Sequence, residues 1–384
     1  MRHGSFQWMK SMNKSIILNK IRKDGPISRA QIARETNLTP PTVSSNVKEL
    51  IDQQIVEERD IGESQGGRKP TMLVINDQAF CIIGVDAGPE NIECIVSDLA
   101  GRILKRTNIK LELPVDSTEF LDALKQGIAA CLNELPKTAN EVIGIGIAMH
   151  GVVDVERGVS LVAPNLGLSN IPIKEELEKA FGLEVKVEND ARAMALGEYW
   201  FGQHGDVRSM LAVNVGRGVG AGLIIDGKLY HGASDIAGEI GHMTIDLHGE
   251  NCECGNRGCL QTFVTGPAIA RKAQGAENPL TAETIYELAV GGNEDYASLL
   301  TESGRAMGIG LTNLIHIINP EKIILGGGVS KAEKFWLPAI RETIGQSALT
   351  ESASRTRVEI TKLGDGATLI GAITLLLVDV FELA

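Results

Sequence analysis

Three cysteines and a histidine fall within one short stretch, Gly238–Cys259, which reads GEIGHMTIDLHGENCECGNRGC. Cys252 and Cys254 form a C-x-C pair, and Cys259 follows a Gly-Asn-Arg-Gly turn. His242 lies ten residues before Cys252. Three thiolates and one imidazole make the soft, tetrahedral donor set that zinc prefers. Four protein ligands leave no open position, so such a zinc is structural. Gly255 and Gly258 let the backbone fold back so that the sulfurs converge. Free cysteine is often a small core hydrophobe, but core packing does not require clustering between glycines with an imidazole upstream. Six cysteines, three of them at metal spacing, fit a reducing compartment better than a disulfide framework.

Two other stretches carry chemistry. Asn189-Asp190 ends an apolar strand and opens a helix, and strand ends are common ligand positions. An amide that donates and accepts, beside a carboxylate that accepts, suits the hydroxyls of a sugar. Helix capping is the plainer role of the same pair. Gly216–Gly222, GRGVGAG, follows another strand. Alternating glycines can cradle phosphate with backbone N–H groups, although they also permit close strand packing.

The run Gly238–His242 followed by C-x-C-G-N-R-G-C resembles the signature of the ROK family, which holds bacterial sugar-responsive repressors, sugar kinases and related reading frames. The resemblance covers nearly the whole chain, and its motif is highly specific. It implies that Glu239 and His242 touch a sugar, with His242 also on the zinc. Pro164-Asn165-Leu166 is similar to the family's P-N-L turn, in which the asparagine bonds a sugar hydroxyl. Asn189 and Asp190 join the same set. In a kinase of the family Asp190 would be the general base; in a repressor it only binds. Four departures matter. Arg192 stands where members usually have asparagine. Gln261 stands where most have glutamate, which keeps an acceptor and loses the charge. Family kinases continue the first glycine turn as Gly-Thr, whereas Asp86-Ala87-Gly88 here runs into Pro89-Glu90. Proline removes an N–H donor, and a glutamate repels a triphosphate. Arg217 replaces a kinase threonine. The turn Gly326-Gly327-Gly328 lies against adenosine in family kinases and is retained in repressors.

The elements that must position these residues follow from patterning. Cys81–Asp86, Asn91–Asp98 and Ile103–Leu111 read as a strand meander. Helices at Phe120–Leu135, Lys174–Phe181 and Ala191–Phe201 interleave with strands at Val142–Met149, Glu184–Val187 and Leu211–Val215. Strands alternating with helices argue for an α/β body. The family resemblance makes it the two-lobed, actin-like sugar kinase fold, with a monosaccharide between the lobes. A helix over Ala306–Asn319, a strand at Lys322–Leu325 and an apolar helix over Gly371–Phe381 complete it. The expected division is 1–76, then 77–190 as a small lobe completed by 365–384, then 191–364 as a large lobe bearing the zinc.

The protein's net charge is −12, but residues 1–70 carry 12 Lys and Arg against 8 Asp and Glu, leaving 25 against 41 in the remainder. A basic head on an acidic body suggests an attached DNA-binding module. Met1–Met12 shows no pattern. A helical face at Ile16, Ile17, Leu18 and Ile21 ends at Gly25-Pro26. Ser28 caps a second helix. Thr39 caps a third, with Pro40 at its first position. Two short helices across a tight turn form a helix-turn-helix, whose second helix enters the major groove. Arg29, Thr42, Ser44, Ser45, Asn46 and Lys48 are the candidate DNA contacts. Ile55–Glu58 and Thr71–Ile75 flank Ser64–Pro70 as a wing, with Arg68 and Lys69 at its tip for the minor groove or a phosphate. A helical protein-interaction module would lack the wing and the local positive charge. This segment resembles the head of ROK repressors, which ROK kinases lack.

Together these features describe a repressor that binds operator DNA as a homodimer or dimer of dimers. Its overall plan is most similar to the xylose-responsive members, which makes xylose the first effector candidate and N-acetylglucosamine or glucose the next. No apolar run reaches membrane-spanning length, and the polar N-terminus lacks a secretory h-region, so a cytoplasmic location is expected. The alternatives are an ATP-dependent sugar kinase with an added head, and a zinc-stabilised interaction protein with neither activity.

Overall fold

The computed structural model describes residues 12–59, 71–133, 135, 141–273 and 280–381. The candidate wing-tip residues Arg68 and Lys69 lie outside them. By internal contacts the chain forms two units: residues 1–149, 155–187 and 372–384, and residues 150–154 and 188–371.

The first unit opens with α1 (Met12–Asp24), β1 (Ile27–Ser28), α2 (Arg29–Thr36), α3 (Pro40–Asp52), β2 (Val56–Arg59) and β3 (Met72–Ile75). Each helix start matches its expected cap. Ser28 Oγ accepts from Gln31 N, and Thr39 Oγ1 accepts from Thr42 N at the turn that launches α3. The strands form a sheet of order β1-β3-β2, antiparallel throughout. Ile17, Leu18, Ile21, Ile32, Val43, Val47 and Leu50 are buried and hold the three helices together. This is a winged helix-turn-helix.

Beyond it come β4 (Phe80–Ala87), β5 (Asn91–Ser97), β6 (Ile103–Lys110), α4 (Ser117–Asn133) and β7 (Glu141–Met149). Then follow β8 (Val152–Asp154), β9 (Val159–Ala163), β10 (Leu168–Ile171), α5 (Ile173–Phe181) and β11 (Glu184–Asn189). One five-stranded sheet has the order β11-β7-β4-β5-β6. Its β4–β5–β6 meander is antiparallel, whereas β7 runs parallel to β4. The two-residue-spaced apolar pattern of β5 leaves Ile92, Cys94 and Val96 buried, and α4 lays Phe120, Leu124 and Ile128 beneath the sheet.

The second unit contains α6 (Asp190–Phe201), β12 (Met210–Val215), β13 (Val219–Ile225) and β14 (Lys228–Tyr230). After them come α7 (Gln261–Val264), α8 (Gly266–Lys272), α9 (Ala282–Val290), α10 (Glu294–Ile318) and β15 (Lys322–Gly326). α11 (Glu333–Ser347), α12 (Glu351–Ser354) and β16 (Arg357–Ile360) follow in this unit, and the chain closes with α13 (Ala367–Phe381), whose residues from 372 on belong to the first unit. Its sheet has the order β14-β13-β12-β15-β16. Leu211, Val213, Ile323 and Leu325 from the sheet pack with Leu311, Ile315, Trp336 and Ile340 from α10 and α11. Mixed sheets covered by helices give the actin-like α/β fold of the sugar kinases.

The apolar segment Gly364–Phe381 is long enough to cross a membrane by composition, but 67% of it is buried inside the protein. Core packing accounts for it. Within the first unit, a Cβ at Gly146 would overlap the backbone of Ala372.

Candidate functional site

The expected metal ligands converge. Among the described residues, His242, Cys252, Cys254 and Cys259 place their ligand atoms within 4.8 Å of one another. Cys252 Sγ lies 3.8 Å from His242 Nδ1, and Cys254 Sγ lies 3.8 Å from Cys259 Sγ. A tetrahedral ion with metal–sulfur bonds of about 2.3 Å sets its sulfurs about 3.8 Å apart. The donor set therefore fits a metal ion in both chemistry and spacing.

Backbone geometry makes this possible. Gly258 sits at φ 67°, and a Cβ there would overlap the carbonyl of Asp246. Bridges at Thr244–Cys259 and Asn251–Arg257 close the loop. The Asn256 N–H and the neighbouring thiols pull the Cys254 thiol down to about 7. Burial, then the adjacent sulfurs, push Cys259 up to about 12. Thiolates this close repel, and a bound cation relieves that repulsion and releases their protons. Gln261 Nε2 donates to Cys252 Sγ at 3.2 Å. Gln261 thus sits against the metal cluster as its hydrogen-bond support, a contact the sequence did not suggest.

Asn189 and Asp190 sit at the junction of β11 and α6. The Asn189 Oδ1 caps α6 by accepting from Ala191 N and Arg192 N, and its Nδ2 donates to the Gly151 carbonyl at 2.9 Å. Most of its bonding capacity goes into the helix start. Asp190 is different. Its Oδ2 accepts from Asn214 Nδ2 at 3.2 Å. Burial raises its carboxyl above the ordinary value against the pull of His150 and two backbone N–H groups. Glu239 is raised too, first by burial and then by the Asp190 charge. Two carboxyls in this unit, both raised by burial and one also by the charge of the other, are available as acceptors for hydroxyl donors.

Glu239 is carried there by a loop that must turn sharply. Gly238 has φ 101°, and a Cβ would overlap the Ala221 carbonyl. Ala221 N donates to Gly238 O at 2.8 Å, and a short 3₁₀ turn over Ile240–His242 follows. One turn thus links Glu239 to the candidate metal ligand His242. Asn165, the remaining candidate, belongs to the other unit, where it is exposed in a 3₁₀ turn over Pro164–Leu166.

The glycines of 216–222 divide into two groups. Gly216 and Gly218 sit in the open turn between β12 and β13, with Arg217 exposed between them. Gly220 and Gly222 face α6, where added Cβ atoms would strike Ala191 and Ala195. Those two serve helix-on-sheet packing. Gly88–Glu90 forms the tight turn between β4 and β5.

In the head, Ser44, Ser45 and Lys48 are exposed on α3. Thr42 shares a hydroxyl hydrogen bond with Thr39 at 2.8 Å, and Asn46 Nδ2 donates to Thr42 O at 2.8 Å. Arg29 pairs with Glu58 of β2 at 2.6 Å, which engages it within the fold.

The ROK family profile matches residues 82–378, and a winged helix-turn-helix DNA-binding profile matches residues 15–57. The chain belongs to the ROK family. It is 34% identical over 393 residues to a xylose repressor from Caldicellulosiruptor bescii, covering 99% of this chain and 98% of that one. It is 32% identical over 384 residues to an N-acetylglucosamine repressor from Escherichia coli, covering 97% and 94%. Among solved structures, a ROK family transcriptional regulator, homolog of the E. coli MLC protein, superposes with a TM-score of 0.85 at 29% identity, covering 97% and 98%. A ROK family glucokinase from Streptomyces griseus, in complex with glucose and AMPPNP, gives 0.69 at 31% identity, covering 77% of this chain and 98% of that one.

Proposed function

We propose that this protein is a sugar-responsive transcriptional repressor. The observation that carries the reading is one chain that joins a winged helix-turn-helix to an actin-like body with the Asp190–Glu239 carboxyl pair. Named repressors match that chain from end to end, which supports it. The head binds operator DNA as a homodimer that reads two half-sites about a helical turn apart. Ser44, Ser45 and Lys48 of α3 face the DNA, with Thr42 and Asn46 at the margin and Arg29, Arg68 and Lys69 on the flanks. The body binds a monosaccharide through Asp190, Glu239 and His242, with Asn165, Asn189 and Gln261 in support. Xylose is the first candidate, then N-acetylglucosamine and glucose. His242, Cys252, Cys254 and Cys259 hold a structural zinc that fixes the loop carrying Glu239. The sugar acts by binding the DNA-competent and DNA-incompetent states with different affinity.

The test is operator binding by fluorescence anisotropy, titrated with each of the three sugars. A sugar that changes operator affinity at least fivefold, about 1 kcal/mol of coupling, supports the reading. Operator binding that no sugar alters overturns the responsive part, and no operator binding overturns the whole.

A second reading, an ATP-dependent sugar kinase, rests on Asp190, whose raised carboxyl at the start of α6 suits a general base. Pro89, Glu90 and Arg217 oppose it. Sugar phosphorylation that vanishes in Asp190→Asn would establish it.

A further inference from the structure

Glu188 and Arg192 form an ion pair at the start of α6, with side chains 2% and 1% exposed and Nε 2.6 Å from Oε1. A pair so deeply buried contributes little net stability, because desolvating two charges offsets most of their attraction. Arg192 Nη2 also has no hydrogen-bond partner among the described residues, which adds a further cost. Stability alone is a poor reason for such a pair.

What the pair holds is the loop from His231 to Glu239. His231 Nε2 bonds the second Glu188 oxygen at 2.7 Å. Arg192 Nη1 donates to the Asp235 carbonyl at 2.6 Å. Asp235 has a left-handed backbone at φ 55°, a conformation that aspartate adopts more readily than most non-glycine residues. Just beyond, Gly238 fastens to Ala221, and Glu239 follows. The loop is therefore tied at two points by one ion pair, to the end of β11 through Glu188 and to the first turn of α6 through Arg192. Arginine suits the task because its rigid fork serves two partners from one plane.

We propose that Arg192, braced by Glu188, is a positioning residue that staples the His231–Glu239 loop onto α6 and so sets the Glu239 carboxylate beside Asp190. The consequence for sugar affinity rests on the sugar-binding reading; the staple itself does not.

The experiment measures two things on the full chain. Hydrogen exchange is followed by mass spectrometry over residues 231–239 and over β12 and β15, and sugar affinity is measured by calorimetry with xylose, N-acetylglucosamine and glucose. In Arg192→Met, exchange across the loop rises at least tenfold while β12 and β15 are unchanged, and affinity for whichever sugar the parent binds falls at least tenfold. Arg192→Lys retains a charge beside Glu188 but lacks the fork. It restores part of the affinity, and its loop still exchanges faster than the parent's. If Arg192→Met does not fold, the lysine variant alone decides. Loop exchange equal to the parent overturns the proposal, as does a rise spread evenly over β12 and β15. Loop exchange that rises with sugar affinity intact overturns the positioning role. A parent that binds no sugar overturns the sugar reading, and the staple then stands or falls on the exchange.

Discussion

Cys254 is the exposed corner of the candidate metal cluster, and its thiol is pulled down to about 7. Removing it leaves three donors where a closed site needs four. Cys254→Ser should lower bound zinc, measured by plasma emission on the purified protein, to near zero. Full occupancy in that variant would remove Cys254 from the ligand set. Glu239 is a different case. Burial and the Asp190 charge raise its carboxyl, so the ionised form is held at a cost to the fold. Functional groups commonly trade stability for activity in this way. Glu239→Gln should therefore raise the melting temperature of the sugar-free protein at neutral pH. It should also weaken the effector at least tenfold, about 1.4 kcal/mol. A lower melting temperature would place Glu239 among the stabilising residues. Glu188 has the opposite sign. Burial pushes its carboxyl up, but the His231 bond and the Arg192 guanidinium outweigh that and hold it below its ordinary value of 4.5. Its stabilising contribution is therefore complete above 4.5 and is lost as pH falls through the lower folded value. The stability gap between the parent and Glu188→Gln, read by denaturant titration, should be widest near neutral pH and narrow in acid.

At the scale of elements, the chain announces its fold wherever a local signal suffices. The caps Ser28 and Thr39 mark the starts of α2 and α3. Apolar runs place β4, β5, β7, β12 and β15. The C-x-C motif and His242 point to the four side chains that converge, because metal spacing is itself local. Signals that depend on a partner elsewhere are silent. In the sequence, Gly220 and Gly222 leave phosphate cradling and close packing both open; only α6 lying on β13 shows them to be clearance for Ala191 and Ala195. The first turns of α10, from Glu294, are more polar than the Ala306–Asn319 stretch that the pattern identifies. Arg192 reads only as a departure from the family's usual asparagine, and nothing local tells that it is buried and bonded to a loop more than forty residues away. Gln261 gives no hint that its amide meets Cys252. The recognition helix supplies the prediction proper to this scale. Lys48 is exposed on α3 and is suited to a phosphate. Lys48→Ala should weaken all operator sequences alike and reduce the salt slope of binding by about 1. Relaxed sequence preference with an unchanged slope would instead place Lys48 on a base edge.

The helices α1 and α13 meet in the first unit. Ser15 Oγ and Asn19 Nδ2, both on α1, donate to the Phe381 carbonyl at 2.8 and 2.6 Å across more than 360 residues of chain. Arg22 lies over the Phe381 ring, 5.6 Å from its centroid. The carbonyls of a helix's last turn have no partner within the helix, so α13 reaches its end with an acceptor that α1 satisfies. The head is thereby docked on the body through a helix terminus as well as through its chain connection at β3. Each of these hydrogen bonds contributes about 0.5–1.5 kcal/mol, and leaving a buried acceptor unpaired costs about 1–3 kcal/mol. Removing both donors should therefore loosen the head without touching the carboxyl site, which lies in the other unit. In Ser15→Ala/Asn19→Ala, hydrogen exchange across α1, α2 and α3 should rise at least tenfold and operator affinity should fall. The stabilisation that a bound sugar produces should keep its size, because ligand concentration and affinity set that free energy. Unchanged exchange in the head would mean that the contact between α1 and Phe381 adds nothing to docking. Loss of the sugar's stabilisation would mean that the end of α13 reaches the effector site energetically.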